Sequence, residues 1–274
     1  MLGKALTPAK GYVIGACLGD NNGTLNPRVG PRALLRYKSG ICAGKDKDFA
    51  EIWSEKVSEV YGINPVIRFR DNQWYAIISY NKHIWEDLRN YAVFGTYHWR
   101  ISKELMSSSA DVATALLRGY FDAEACVCFY IYKRADGKDK SSRGIRIETV
   151  NQRGLSQIFL VLKRLGIHAT MHEYTKKKTE ILSIHRFLAI QKFHDLIGFG
   201  IRRKQRTLEN MIAYFSNSTR YKYTEKEYEL AFDLAKKGLG SADIARKLGH
   251  GLLQSTVWSW LNGRQTPLRV KNKV

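Results

Sequence analysis

The sequence predicts an α+β protein with a small all-α module after it. Three observations carry this. An apolar, glycine-studded run that closes on an acid occurs twice, as "GYVIGACLGD" at 11–20 and "LRGYFDAEA" at 117–125. Each copy is followed by two strand-like stretches, a helix, two more strand-like stretches and a closing helix. Past Gly200 the texture turns basic and then breaks into short helical segments. The expected organisation is two pseudo-symmetric αββαββα units, 1–100 and 101–215, with a helix-turn-helix domain over 216–274. Each unit would form one four-stranded, antiparallel, saddle-shaped sheet with its helices on a single face.

Residues 7–19 have the apolar spacing of a helix, and "GTLNP" with "RALLRYKSGI" reads as a hairpin. "KDFAEIWSEKVSEVYG" is a helix with Gly62 as its C-terminal cap. "PVIRFR" and "QWYAIISY" flank the turn residues Asp71 and Asn72, and "NKHIWEDLRNY" closes the first unit. In the second unit Ser109 caps the helix "SADVATALLRGYFDAEA". The strands "CVCFYIYKR" and "RGIRIETV" follow, with "ADGKDKSS" as the loop between them. Then come the helix "GLSQIFLVLKRLGI", the strands "HATMHEY" and "TEILSIH", and the helix "RFLAIQKFHDLIGF". The basic stretch from Ile201 to Thr224 is helical in its first part. Beyond it, "SADIARKLG", with Ser241 as cap, and "LQSTVWSWLNG" form the helix-turn-helix, and "HGLLQ" makes its turn longer than the compact form. Ala245 and Gly249 stand where a tight crossing needs a small residue and a positive φ. A helical packing module without DNA contact has the same pattern. Gln254, Ser255, Thr256 and Asn262 are side chains suited to base edges and phosphates.

Lysine and arginine number 45 against 25 acids, a net charge of +20, with 15 Tyr and 6 Trp interleaved. Such an excess serves a polyanion best, through phosphate neutralisation and counterion release. No apolar run is long enough to span a membrane, and no basic amphipathic helix is visible. The four cysteines, Cys17, Cys42, Cys126 and Cys128, contain no C-x-x-C pair and read as reduced packing residues. With no targeting signal in "MLGKALTPAKG", the expected location is intracellular.

Gly15 and Gly19 are four apart, as are Gly119 and Ala123, so each pair opens one helix face to close approach. The helices 7–19 and 109–123 should pack together there and bring Asp20 and Glu124 side by side at their C-terminal ends. A carboxylate is unfavourable at a helix C-terminus unless a cation joins it. Two of them beside free carbonyls make a hard-oxygen site suited to Mg²⁺. With basic sheets alongside, metal-assisted phosphodiester hydrolysis follows. Asp122 lies about 200° round the helix from Glu124, so it is expected to be a helix-end or supporting residue rather than a ligand.

"VIGACLGDN" at 13–21 and "LRGYFDAEA" at 117–125 resemble the paired motifs of the single-chain LAGLIDADG homing endonucleases, over residues 7 to 210. Gly15 and Gly119 fall on the helix-contact glycine, Gly19 and Ala123 on the small residue before the acid, and Asp20 and Glu124 on the metal-binding acid. Asn21 and Ala125 replace the motif's last glycine. The resemblance implies a monomer that saddles double-stranded DNA in the major groove. It implies Mg²⁺ or Mn²⁺ held by Asp20, Glu124 and the carbonyls of Gly19 and Ala123. Both strands would be cut at a long, specific site, leaving short 3′ overhangs. "FGIRRKQRTL" resembles the segment that supplies a catalytic lysine, which points to Lys204; Arg100 in "YHWRISK" is the first-unit counterpart, and either could be a phosphate contact instead. Strand alternation marks Arg36, Lys38, Arg68, Arg70, Tyr130, Tyr132, Arg146 and Glu148 as base readers, although a solvated sheet face would look the same. Two other functions stay open: a non-catalytic regulator combining this fold with a helix-turn-helix, and a maturase that binds its own intron RNA.

Overall fold

A computed structural model describes residues 5–19, 28–29, 35–36, 38–79, 81–133, 139–216, 223–249, 251–264 and 267. The chain forms two compact units, 1–209 and 210–274.

The first unit opens on α1 (Pro8–Gly19), then β1 (Arg28–Val29), β2 (Leu35–Arg36), β3 (Lys38–Gly44), α2 (Lys47–Tyr61), β4 (Val66–Arg70), β5 (Gln73–Ser79) and α3 (Lys82–Tyr91). The short pieces β6 (Ala92–Val93), β7 (Arg100–Ile101) and α4 (Lys103–Met106) lead into α5 (Ala110–Glu124). The series then repeats with β8 (Cys126–Lys133), β9 (Asp139–Thr149), α6 (Gln152–Arg164), β10 (Thr170–Tyr174), β11 (Thr179–Ile184) and α7 (Phe187–Leu196). Helix α8 (Arg202–Ser216) follows. This is the expected α+β architecture, and every strand pair is antiparallel.

The later sheet has the expected four strands, in the order β10-β11-β9-β8. Among the described residues the earlier sheet has three, β3-β5-β4, with β1 and β2 paired separately. The arm "GTLNP" lies outside the described residues. Asp71 and Asn72 turn between β4 and β5 with φ of 51° and 59°. Both are side chains that tolerate the left-handed region. Gly62 ends α2 in that region, with φ 69°, and Ser109 caps α5 by accepting from the Val112 N–H.

Each sheet buries one face. Ile41, Ala76 and Ile78 are buried in the earlier sheet, and Ile145, Ile147 and Leu182 in the later one. Helix α1 is buried all round, from Ala9 to Leu18, which is why its apolar residues form a continuous run instead of a stripe. That burial includes Lys10, whose Nζ lies 2.7 Å from Asp87 Oδ2 and 4.4 Å from the Tyr91 ring centre. Tyr61 Oη donates to the same Asp87 oxygen over 2.8 Å.

The second unit contains α9 (Glu225–Lys236), α10 (Ser241–Leu248) and α11 (Gln254–Leu261). They pack on a core that includes Ala231, Ile244, Val257 and Trp260. A capping box starts α9: Thr224 Oγ1 accepts from the Glu227 N–H, and Glu227 Oε2 accepts from the Thr224 N–H. Ser241 is not the cap of α10 but its first residue. Gly240 holds the cap position without a side-chain bond. Gly249 has the expected positive φ, 68°.

Candidate active site

Backbone contact between α1 and α5 builds the site. A β-carbon on Gly15 would run into the Leu116 carbonyl, and one on Gly119 into the Tyr12 carbonyl. No other residue fits at either place, so the two helices touch main chain to main chain, as the spacing of small residues predicts. At the C-terminal end, a β-carbon on Gly19 would sit 2.5 Å from Ala123 Cβ and 2.7 Å from Glu124 Cγ. Glu124 therefore folds across the end of α1. Burial raises its carboxyl above the ordinary range, and the Lys204 charge pulls it back down. Asp20, the next residue after α1, lies outside the described residues.

Lys204, 8 % exposed, is the cation at this end. Its Nζ donates to the Asp122 carbonyl over 2.5 Å and to the Phe121 carbonyl over 3.4 Å. These carbonyls lie in the last turn of α5, where a cation is favoured by the helix dipole. Asp122 is 1 % exposed. Its carboxylate accepts from Tyr12 Oη at 2.8 Å, from the Gly200 N–H at 2.9 and 3.1 Å, and from the Ile201 N–H at 3.3 Å. Burial pushes this carboxyl up to about 6, against those bonds and the Lys204 charge. Asp122 is thus enclosed by hydrogen bonds from within the protein. Its partners were not foreseeable, because they are a tyrosine hydroxyl 110 residues away and main-chain groups 78 and 79 residues away.

Two grooves flank the helix ends. One, of about 540 Å³, is lined by Cys42, Asp46, Asp122, Ala123, Arg203 and Lys204 among others. The other, of about 620 Å³, is lined by Gly19, Glu124, Glu148, Thr179 and the segment from Gly95 to Trp99. Arg100, the expected counterpart of Lys204, is exposed on β7 and paired with Val93. From its segment, His98 lines this groove, and the sequence reading missed it. The segment is anchored from α6: Asn151 Nδ2 donates to the Trp99 carbonyl over 2.7 Å, and the Gln157 amide bonds both the N–H and the carbonyl of Ile101.

The register puts Tyr130, Tyr132, Arg146 and Glu148 on one face of the later sheet, opposite the buried Ile145 and Ile147. Arg146 pairs with Glu148 at 3.0 Å, and Glu148 also accepts from Thr179 Oγ1 at 3.0 Å. These bonds hold its carboxyl below the ordinary range, Thr179 contributing most. Arg68 and Arg70 are exposed on β4. Arg36 and Lys38 stand on β2 and β3, and their side chains lie outside the described residues. In the second unit Gln254 and Ser255 are exposed and Thr256 is half-buried. Asn262 is not on α11 but caps it, and its Nδ2 donates to the Trp258 carbonyl. The exposed Trp258, with Arg264 4.6 Å from its ring centre, is an aromatic that the reading passed over.

Residues 111–198 match a LAGLIDADG-like domain. The chain is 26% identical over 226 residues to the uncharacterised protein MJ0398 of Methanocaldococcus jannaschii, covering 75% of this chain and 72% of that one. Over about three quarters of the chain its fold is similar to that of LAGLIDADG homing endonucleases. The structure of I-DmoI in complex with DNA and Ca superposes with a TM-score of 0.54, at 16% identity over 75% of this chain and 98% of that one. A lysine-to-alanine variant of I-SmaMI gives 0.55, at 11% identity over 77% and 93%. Among the described residues no helix is long and apolar enough to cross a membrane.

Proposed function

We propose that the protein is a divalent-metal-dependent DNA endonuclease that cuts both strands of a long, specific site and leaves short 3′ overhangs. One observation carries the reading: two helix C-termini meet at Gly19 and Ala123, with Glu124 lying across the junction and Lys204 buried beside it. I-DmoI, whose fold is shared, has been solved with DNA and Ca.

The residues present fit a hard cation. Glu124 is a half-buried carboxylate at a helix end, where negative charge is otherwise disfavoured. It would hold Mg²⁺ or Mn²⁺ together with Asp20 and the carbonyls of Gly19 and Ala123. Such an ion supplies Lewis acidity and a lowered water pKa. Lys204 supplies fixed positive charge to a phosphate at the groove it lines, and His98 lines the other groove. The faces with Arg36, Lys38, Arg68 and Arg70, and with Tyr130, Tyr132, Arg146 and Glu148, read bases and grip phosphates. The second unit lengthens the footprint as a helix-turn-helix through Gln254, Ser255 and Thr256, and the chain acts as a monomer.

Incubation with candidate target duplex and Mg²⁺ tests this. Wild type should cut both strands, whereas Asp20→Asn and Glu124→Gln should lose at least one strand cut while still binding. Binding without cutting by wild type would overturn the reading in favour of a regulator. Full cutting by both variants would overturn the site.

A further inference from the structure

We propose that Asp122 is a positioning residue: its carboxylate seats the start of α8 so that Lys204 is held at the C-terminal end of α5, on one side of the site only. The proposal rests on the endonuclease reading above. Helix α8 begins at Arg202, and the residue at its cap position is Ile201, whose side chain cannot accept a hydrogen bond. The N–H groups at its start and just ahead of it are satisfied from elsewhere in the chain. Asp122 takes those of Gly200 and Ile201, and Asp48 Oδ2 takes that of Arg202 at 2.8 Å. One turn on, Lys204 returns to the main-chain carbonyl of Asp122 itself. The side chain and backbone of a single residue thus fix both the helix start and the lysine it carries. Tyr12, reaching over from α1, fixes the carboxylate in turn.

The lock is one-sided. Both halves carry Phe-Gly ahead of the relevant segment, Phe94-Gly95 and Phe199-Gly200. The residue two before the first acid, matching Asp122, is Leu18, which is buried and cannot accept a hydrogen bond. The turn after Gly95 closes on its own backbone instead, with the His98 and Trp99 N–H groups donating to the Gly95 carbonyl at 3.1 and 2.9 Å.

The test is single-turnover cleavage of a duplex labelled on each strand separately. Asp122→Asn should slow one strand on the order of 10²-fold, the usual effect of a small misplacement of a reacting group, and leave the other strand and the metal-free DNA affinity unchanged. Asp122→Asn combined with Lys204→Ala should be no slower than Lys204→Ala alone. Gly200→Ala disturbs the same seat from the opposite side, since its β-carbon would lie 2.7 Å from Asp122 Oδ2. It should reproduce the one-strand defect and covers the case in which Asp122→Asn fails to fold. A loosened fold would instead slow both strands equally, and that result overturns the proposal. Amide hydrogen exchange over residues 200–205 is read in parallel, without metal or DNA, and should speed up in both variants. If it stays at the wild-type rate the proposal fails, whether or not the protein cuts. Wild type that cuts neither strand would sink the endonuclease reading alone, because the exchange data still decide the role of Asp122.

Discussion

Asp122 and Glu124 stand two residues apart and meet opposite fates. Glu124 faces the neighbouring helix end; Asp122 is sealed under Tyr12 and the Gly200–Ile201 backbone. The seal has a pH signature. A carboxyl raised from 3.8 to about 6 binds its proton more tightly in the native state than in the unfolded chain. Its contribution to stability is therefore complete below about pH 4 and lost as pH rises through 6. In metal-free urea titrations the stability of wild type relative to Asp122→Asn should fall across that window, by about 3 kcal/mol at most. A flat difference would contradict the burial. Of these two placements, the sequence made that of Glu124 legible, through the matched spacing with Asp20. That of Asp122 was legible only by exclusion, because its partners come from a distant segment.

Among helices, the α1–α5 contact was the most readable feature, since small residues at four-residue spacing leave few other uses. Gly119→Ala and Gly15→Ala should each destabilise by at least the upper end of the ~1–3 kcal/mol typical of overpacking, because the obstacle is backbone. Urea unfolding measures this, and a loss within error would mean that the helices are further apart. The start of α8 was unreadable by comparison. Capping rules look for a local side chain, and here the acceptors are Asp48 and Asp122. Helix α9 was overlooked although its capping box, Thr224 with Glu227, is a local signal. Lys10 went unremarked because nothing near it in sequence announces Asp87 as its partner.

Across the full chain, the net charge of +20 divides between two units that are compact separately. Ending the chain after Ser216 removes α9 to α11 together with their basic residues. Target binding should weaken and its dependence on salt should become shallower, since fewer phosphates are neutralised, while the cutting rate at saturating protein should stay the same. Titrations at several salt concentrations with single-turnover kinetics check both parts. Loss of cutting at saturation would mean that the second unit does more than extend the grip. Charge and the change of texture past Gly200 showed in the sequence that a separate module exists. They did not show that Trp258 is exposed on it, because an aromatic at helical spacing reads as core.

The bonds at the start of α8 also bear on recombining this protein with its relatives. Arg203 is paired with Asp46 through two bonds, at 3.1 and 2.8 Å, and the Arg202 N–H rests on Asp48. Both acids belong to the earlier half, whereas Lys204, which they help to seat, follows the later one. Halves taken from different parents would need to carry these acids as matched parts, and a chimera that joins only well-packed α1 and α5 surfaces would inherit a lysine without its foundation.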